Sequence, residues 1–308
     1  MGGRQMMFDG MDAMAMRRQV GERRDAALRR IGGGFGEGAN GVGGFTLMEV
    51  LVVVAITAVL MGILMPALMV ARAQARQTVC RGNLRQLLMA NIAYSMEHDG
   101  QFVPAARDMW DDAGLWRWHG YRPTRDAAFV SSQGPLAGYL GDGQVKRCAE
   151  NVEFAAADRW AGSFEKGCGG YGYNMVYIGS RMWQKPLPAA GWWRRMYECT
   201  TRTDEVRKPA ETLMFADSAI SRQAGVVIEY SFAEPPFAVF EGAVMTGFYM
   251  SPSIHFRHRG RANIGWVDGH TDSREPAPMP GDNVYGVDSA AAGLGWFDPV
   301  DNTPFDLE

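Results

Sequence analysis

Gly44-Phe45-Thr46-Leu47-Met48-Glu49, followed by an uncharged run from Val50 to Val70, decides how this chain is read. The run is 21 residues long. As α-helix, at about 1.5 Å per residue, it measures about 32 Å, enough to cross a hydrocarbon core of about 30 Å. Glu49 then stands at the polar edge of a membrane-grade segment, where an unpaired ionised carboxylate costs several kcal/mol and therefore requires a partner. A cut between Gly44 and Phe45 would create one. The new α-amine on Phe45 would lie four residues, one helical turn, from Glu49, either in the same chain or on a neighbour.

These residues resemble the N-terminal segment of type IV prepilins. In that family a dedicated prepilin peptidase cleaves after a glycine and methylates the new N-terminal residue, and a glutamate five residues into the mature chain serves filament assembly. The resemblance implies Gly44 as the cleavage glycine, Phe45 as the methylated residue and Glu49 as the assembly glutamate. Pro66 stands where pilins often carry a proline that kinks the helix. A plain signal anchor explains the apolar run but not the Gly-Phe pair before it.

Residues 1–44 contain seven arginines and several glycine clusters, and read as a basic leader on the cytoplasmic side that is removed by cleavage. Met14 and Met16 are alternative starts. Arg17-Arg18 and Arg23-Arg24 lack the apolar residues that follow a twin-arginine export signal. Ala71-Arg72-Ala73 and Ala73-Gln74-Ala75 fit a secretory cleavage pattern, but the apolar run exceeds the usual length of about 7 to 15 residues for such signals. Basic residues also follow the run (Arg72, Arg76, Arg81, Arg85), so charge alone does not fix topology. Orientation rests on the cleavage signal, which implies a single pass through the inner membrane with the head on the periplasmic side.

At 308 residues, 47% hydrophobic and with nine tryptophans, the chain is long enough to bury a globular core after the helix. A net charge of −3 with scattered arginines speaks against nucleic acid as a partner. Beyond Pro66, Leu84, Leu88, Ile92 and Met96 recur every four residues, widened by Leu87 and Tyr94, and predict an amphipathic continuation ended by Asp99-Gly100. After residue 100, Leu213-Met214-Phe215-Ala216, residues 225–230 and Ala238-Val239-Phe240 read as strands. The expectation is an α+β, pilin-like fold, a long helix on an antiparallel sheet. Its parts are a leader (1–44), a transmembrane half-helix (45–71), an amphipathic half-helix (72–99), a β-rich head (100–275) and a Pro/Gly/Asp-rich tail (276–308).

A second signature lies between Arg257 and Ser273: a turn at Arg259-Gly260, a strand from Asn263 to Val267, a tight Asp268-Gly269 turn and a returning strand from His270. His258, nine residues, then Asp268-Gly269 resembles the H-x9-DG element of prepilin-like proteins abundant in planctomycetes and verrucomicrobia. Tyr171-Gly172-Tyr173-Asn174, Lys208-Pro209-Ala210-Glu211-Thr212 with Asp217, and Cys148 in place of a Cys-Pro pair extend that resemblance. His258 and Asp268 read as a structural network, pairing with each other or with Asp217. A divalent-metal site from Asp217, His258, Asp268 or His270, or a hydrolase using His258 as base, are the alternatives.

No nucleophile stands in a recognisable catalytic setting, so no enzyme activity and no cofactor are expected. Acidic tail residues Asp282, Asp288, Asp298 and Asp301 offer oxygen ligands for Ca2+ or another divalent metal, as in the C-terminal loop of major pseudopilins. Among Cys80, Cys148, Cys168 and Cys199 there is no C-x-x-C pair. Cys148 with Cys168 forms the candidate disulfide if the head is extracytoplasmic, with four unlinked buried thiols as the alternative. Trp110, Trp116, Trp118 and Trp183, Trp192, Trp193 read as core or interface, or else as a surface for sugars or a partner protein.

The function implied is a structural subunit of a type II secretion pseudopilus or a type IV pilus-like filament. Its partners would be the prepilin peptidase, other pilin or pseudopilin subunits, an assembly platform and the membrane. The competing function is a membrane-anchored binding module, for polysaccharide or an export substrate, that does not polymerise.

Overall fold

A computed structural model describes residues 44–109, 114–150, 165–184, 192–222, 226–247, 249–278, 286 and 288–308. The leader apart from Gly44, Trp110, Gly225, Asp282 and the side chains of Trp192 and Trp193 lie outside the described residues. The described chain divides between Ile63 and Leu64 into two units.

Helix α1 runs from Leu47 to Glu97, and Pro66 lies inside it without ending it. From Gly44 to Arg72 every residue is exposed, although nearly all are apolar. A helix apolar on all sides cannot satisfy itself in water, and this one is long and apolar enough to cross a membrane. Past Arg76 the pattern changes, and Cys80, Leu84, Leu87, Leu88, Ala90, Asn91 and Ser95 are buried. The observed stripe departs from the predicted one at its end: Met96 is exposed, and the polar Ser95 is buried in its stead. Ser95 is accommodated because its Oγ donates to the carbonyl of Ile92. The helix stops where Asp99-Gly100 predicted. Asp99 is left-handed at φ 52°, and the Gly100 N–H donates to the Ser95 carbonyl at 2.9 Å, the six-residue closure of a helix C-terminus.

The head is built from short strands: β1 (Trp116–Arg117), β2 (Gly120–Tyr121), β3 (Tyr171–Tyr173), β4 (Leu213–Asp217), β5 (Ile220–Ser221), β6 (Val227–Ile228), β7 (Ala238–Phe240), β8 (Ala243–Met245), β9 (Ile254–His255), β10 (Ala262–Trp266), β11 (Thr271–Arg274) and β12 (Leu294–Gly295). A short helix, α2 (Trp192–Glu198), precedes β4. The central sheet has four strands in the order β11-β10-β4-β3, all antiparallel. Strands β4 and β10 are buried at every position, so both faces of the sheet are covered. One face takes α1, and Gly265 in β10 makes this close approach possible: a Cβ there would lie 2.8 Å from Leu88 Cδ1. This is the long helix on an antiparallel sheet of an α+β, pilin-like fold.

The predicted hairpin is present. Strands β10 and β11 flank the Asp268-Gly269 turn, with Gly269 at φ 91°, a conformation that favours glycine. The segment after residue 276 joins the head. Trp296, Phe297, Phe305 and Leu307 enter the main core, and the Leu213 N–H donates to the Pro304 carbonyl. Trp118 lies fully buried against Phe215, in the core, whereas Trp116 is half-buried with the Arg107 guanidinium over its ring.

Candidate functional site

At the start of α1 the sequence Thr46-Leu47-Met48-Glu49 forms a reciprocal cap. The Glu49 N–H donates to Thr46 Oγ1 (3.2 Å), while Glu49 Oε2 accepts from both the Thr46 N–H (2.8 Å) and the Thr46 hydroxyl (2.9 Å). This is the capping box of Ser/Thr, two residues, then Glu, and it satisfies groups that a helix N-terminus otherwise leaves open. The partner that Glu49 requires is thus present within the chain. The reading of the sequence missed it, although the Thr-x-x-Glu spacing spells it. Gly44 and Phe45 lie outside the helix, both exposed. The peptide bond between them is open to an enzyme, and cutting it would leave the cap intact.

In the head, a second polar cluster forms beneath the H-x9-DG hairpin. Asp217, at the end of β4, is fully buried. Its Oδ1 accepts from Arg257 Nη2 (2.8 Å), and its Oδ2 accepts from the Asn263 N–H (2.7 Å) and faces His258 Nε2 at 3.3 Å. Arg257 also reaches the carbonyls of Gly170 and Ser218, and its Nε lies 3.4 Å from Cys148 Sγ. Cys148 Sγ is 3.4 Å from His258 Nε2 and 2.9 Å from Cys80 Sγ. The turn at Arg259-Gly260 holds this arrangement, with left-handed backbone at both residues and mutual backbone bonds between His258 and Arg261.

The electrostatics are those of a buried charge network. Burial acts to raise the pKa of Asp217, but the charge of Arg257 and the bonds from His258 and Asn263 prevail and hold it below the usual carboxylate range. Burial likewise acts to lower His258, and its bonds with Asp217 and Cys148 prevail, raising it to about 9. The hydrogen bond with Cys148 lowers the Cys80 thiol to about 7 against the effect of burial, whereas that bond and burial together push the Cys148 thiol up.

The structure therefore selects one of the two pairings open to His258, the one with Asp217. Asp268 does not join it. Its Oδ1 sits 2.6 Å from His270 Nδ1, an exposed pair on the hairpin turn. The expected metal set of Asp217, His258, Asp268 and His270 is thus split in two. Among the described residues, the group whose ligand atoms converge is Cys80, Cys148 and His258. In the tail, Asp288 and Asp301 accept from the N–H groups of Ala291 and Thr303 and so serve local turns.

In the structure Cys148 and Cys168 are not joined: all four cysteines are free thiols, Cys199 exposed and the others buried, and the sulfur beside Cys148 belongs to Cys80. The two segments are neighbours, since the Cys148 N–H donates to the Gly169 carbonyl, but Cys168 Sγ turns instead towards Glu229, 4.0 Å away. Arg257 and Cys80 are the members of this cluster that the sequence did not disclose.

The Tyr171-Gly172-Tyr173-Asn174 segment fastens the helix to the sheet. Tyr171 Oη donates to the Cys80 carbonyl, Tyr173 Oη donates to the Val103 carbonyl and accepts from Asn91 Nδ2 (3.1 Å). Asn174 Nδ2 bridges the carbonyls of Leu213 and Phe305 and so ties in the C-terminal segment. These are scaffold roles.

Residues 40–65 match the prokaryotic N-terminal methylation motif. The matched segment covers the start of the apolar helix that is long enough to cross a membrane, and the cap at Thr46–Glu49 lies inside it. No curated protein and no solved structure matches the chain.

Proposed function

We propose that the chain is a structural subunit of a type II secretion pseudopilus or type IV pilus-like filament, cleaved after Gly44 and N-methylated on Phe45. The observation that carries this reading is the methylation motif over residues 40–65, set on an exposed, capped apolar helix. Prepilin peptidase removes the basic leader, the head stands outside the cytoplasmic membrane, and the apolar helices pack laterally in the bilayer and then in the filament.

The cap geometry suggests how Glu49 serves two masters. Both bonds from Thr46 converge on Oε2, and among the described residues none donates to Oε1, which is thus open to an incoming donor. A methylated Phe45 amine from a neighbouring subunit reaching Oε1 forms an ion pair in a low-dielectric bundle, where register errors would leave both charges unpaired. Apolar contacts along residues 50–70 supply adhesion without direction, and the pair sets the axial step.

N-terminal peptide and intact-mass analysis of the protein from its native membrane tests the reading. A chain starting at N-methylated Phe45 is expected. An intact leader would favour the anchored, non-polymerising binding module, and a start at Gln74 or Arg76 would make the protein a secreted one.

A further inference from the structure

We propose that Cys80 and Cys148 oxidise to a disulfide that fastens α1 covalently to the head. The two sulfurs stand 2.9 Å apart, both buried, one on α1 and the other on the loop before β3. A disulfide bond is about 2.05 Å long, whereas two thiolates on one tetrahedral zinc, each about 2.3 Å from the metal, stand about 3.8 Å apart. The observed separation lies between these limits, so the surroundings decide. A closed structural zinc site takes four ligands, and three converge here. The nearest further candidate, Asp217, already accepts from Arg257 and the Asn263 N–H. The Arg257 guanidinium, 3.4 Å from Cys148 Sγ, is a fixed cation that a bound dication would have to face. A disulfide needs neither a fourth ligand nor the removal of that cation.

The oxidant is a disulfide, either of a dithiol–disulfide oxidoreductase or of glutathione. The Cys80 thiolate attacks one donor sulfur, and the donor S–S bond breaks to release the first donor thiolate. Cys148 then loses its proton and attacks the Cys80 sulfur, releasing the second. Two protein thiols are oxidised, one donor disulfide is reduced to two thiols, and the two protons pass to the donor. Because both cysteines are buried, exchange takes place before the head closes on the helix. In the cell this requires an oxidising compartment, and in that respect it rests on the proposed placement of the head outside the cytoplasm. The product links residues 68 positions apart at the junction where tension on an anchored or polymerised helix enters the head.

The test uses the full-length chain in detergent, reduced, unfolded in denaturant and refolded in a glutathione redox buffer, then acid-trapped, alkylated and digested. It is indifferent to the side of the membrane on which the head lies, so its failure is separable from failure of the processing experiment. The expected result is one linked peptide pair, Cys80–Cys148, with Cys168 and Cys199 alkylated after denaturation and a rise in Tm of about 10 °C over the reduced protein. Cys80→Ser abolishes the link and the rise, and Cys199→Ser changes neither. Alkylation of both Cys80 and Cys148 in excess glutathione disulfide, or a link to Cys168 or Cys199, overturns the proposal. So does one zinc per chain that protects both thiols until a chelator removes it.

Discussion

The two halves of α1 are one helix under opposite rules. Residues 47–63 offer apolar side chains in nearly every direction, and among the described residues their polar side-chain contacts are confined to the Thr46–Glu49 cap and the Thr57 hydroxyl, which bonds the helix's own backbone. Residues 80–95 present a narrow buried stripe fixed by specific polar contacts: Cys80 with Cys148, Asn83 with Tyr171 and Asn91 with Tyr173 and the Val103 N–H. The first kind of surface tolerates sliding and suits lipid or repeated identical neighbours. The second kind does not, because a shift by one residue would strand buried donors. The lesson is that a single helix can carry an apolar surface that adheres without register along one half and a register-locked stripe along the other.

Breaking the locked end should have the largest effect. Arg257→Ala leaves the Asp217 carboxylate buried with one cationic partner fewer, and a cost of about 3 to 5 kcal/mol is expected. Denaturant unfolding of the full chain in detergent measures it. A double replacement, Asp217→Leu with Arg257→Met, should recover only part of the loss, since it removes the stranded carboxylate but leaves His258 and the Asn263 N–H without their acceptor. If Arg257→Ala unfolds at the wild-type midpoint, the cluster contributes nothing to the lock.

The same cluster makes head stability depend on pH. His258 has a folded pKa raised to about 9 against an unfolded value near 6.5, so its contribution is complete below 6.5 and disappears as pH rises through 9. Cys80, with its pKa lowered to about 7, acts in the opposite sense over this window, so the measurement belongs in a Cys80→Ala background. Asp217, Arg257, Cys148 and His255 surround the imidazole, and of these Asp217 and Arg257 keep their charge throughout. A loss of about 2 to 3 kcal/mol between pH 6.5 and 9.5 is expected. His258→Gln should flatten that slope, and an equal slope in the variant would refute the assignment.

A smaller effect sharpens the contrast from the helix side. Asn91→Ala removes the amide that donates to Tyr173 Oη and accepts from the Val103 N–H, leaving a buried backbone donor unsatisfied at an expected cost of about 1 to 3 kcal/mol. Met96→Ala should change stability by less than about 0.5 kcal/mol, because that side chain is exposed.

That last pair shows what the sequence disclosed and what it hid. Contiguous features were legible: the apolar run, the stop at Asp99-Gly100 and the turns at Arg259-Gly260 and Asp268-Gly269 each depend on neighbouring residues, where local sterics and spacing decide. Hydrophobic periodicity chose Met96 over Ser95 because it counts apolar atoms and ignores hydrogen bonds that neutralise a small polar side chain. Arg257 and Cys80 were invisible as partners of Asp217 and Cys148 because the partners lie 40 and 68 residues away and only the folded sheet joins them. Asp268 misled for the opposite reason, since a spacing motif fixes its place in the hairpin but not which histidine its carboxylate meets.

At the unlocked end the smallest stability effect should accompany the greatest functional one. Glu49→Ala removes one side of a cap on an exposed helix start, a loss of about 1 kcal/mol or less to local helicity, and head unfolding should stay within about 0.5 kcal/mol of wild type. Assembly should nevertheless fail, because no carboxylate remains for the neighbour's amine. Thr46→Val separates the two duties. It removes the hydroxyl contacts with Glu49 but keeps the carboxylate and the backbone N–H, so filaments should still form, with a more frayed first turn. Both variants would be followed by the yield of filaments, or of crosslinked oligomers from native membranes. If Glu49→Ala assembles normally while Thr46→Val does not, the carboxylate serves only to cap the helix, and register must come from the head.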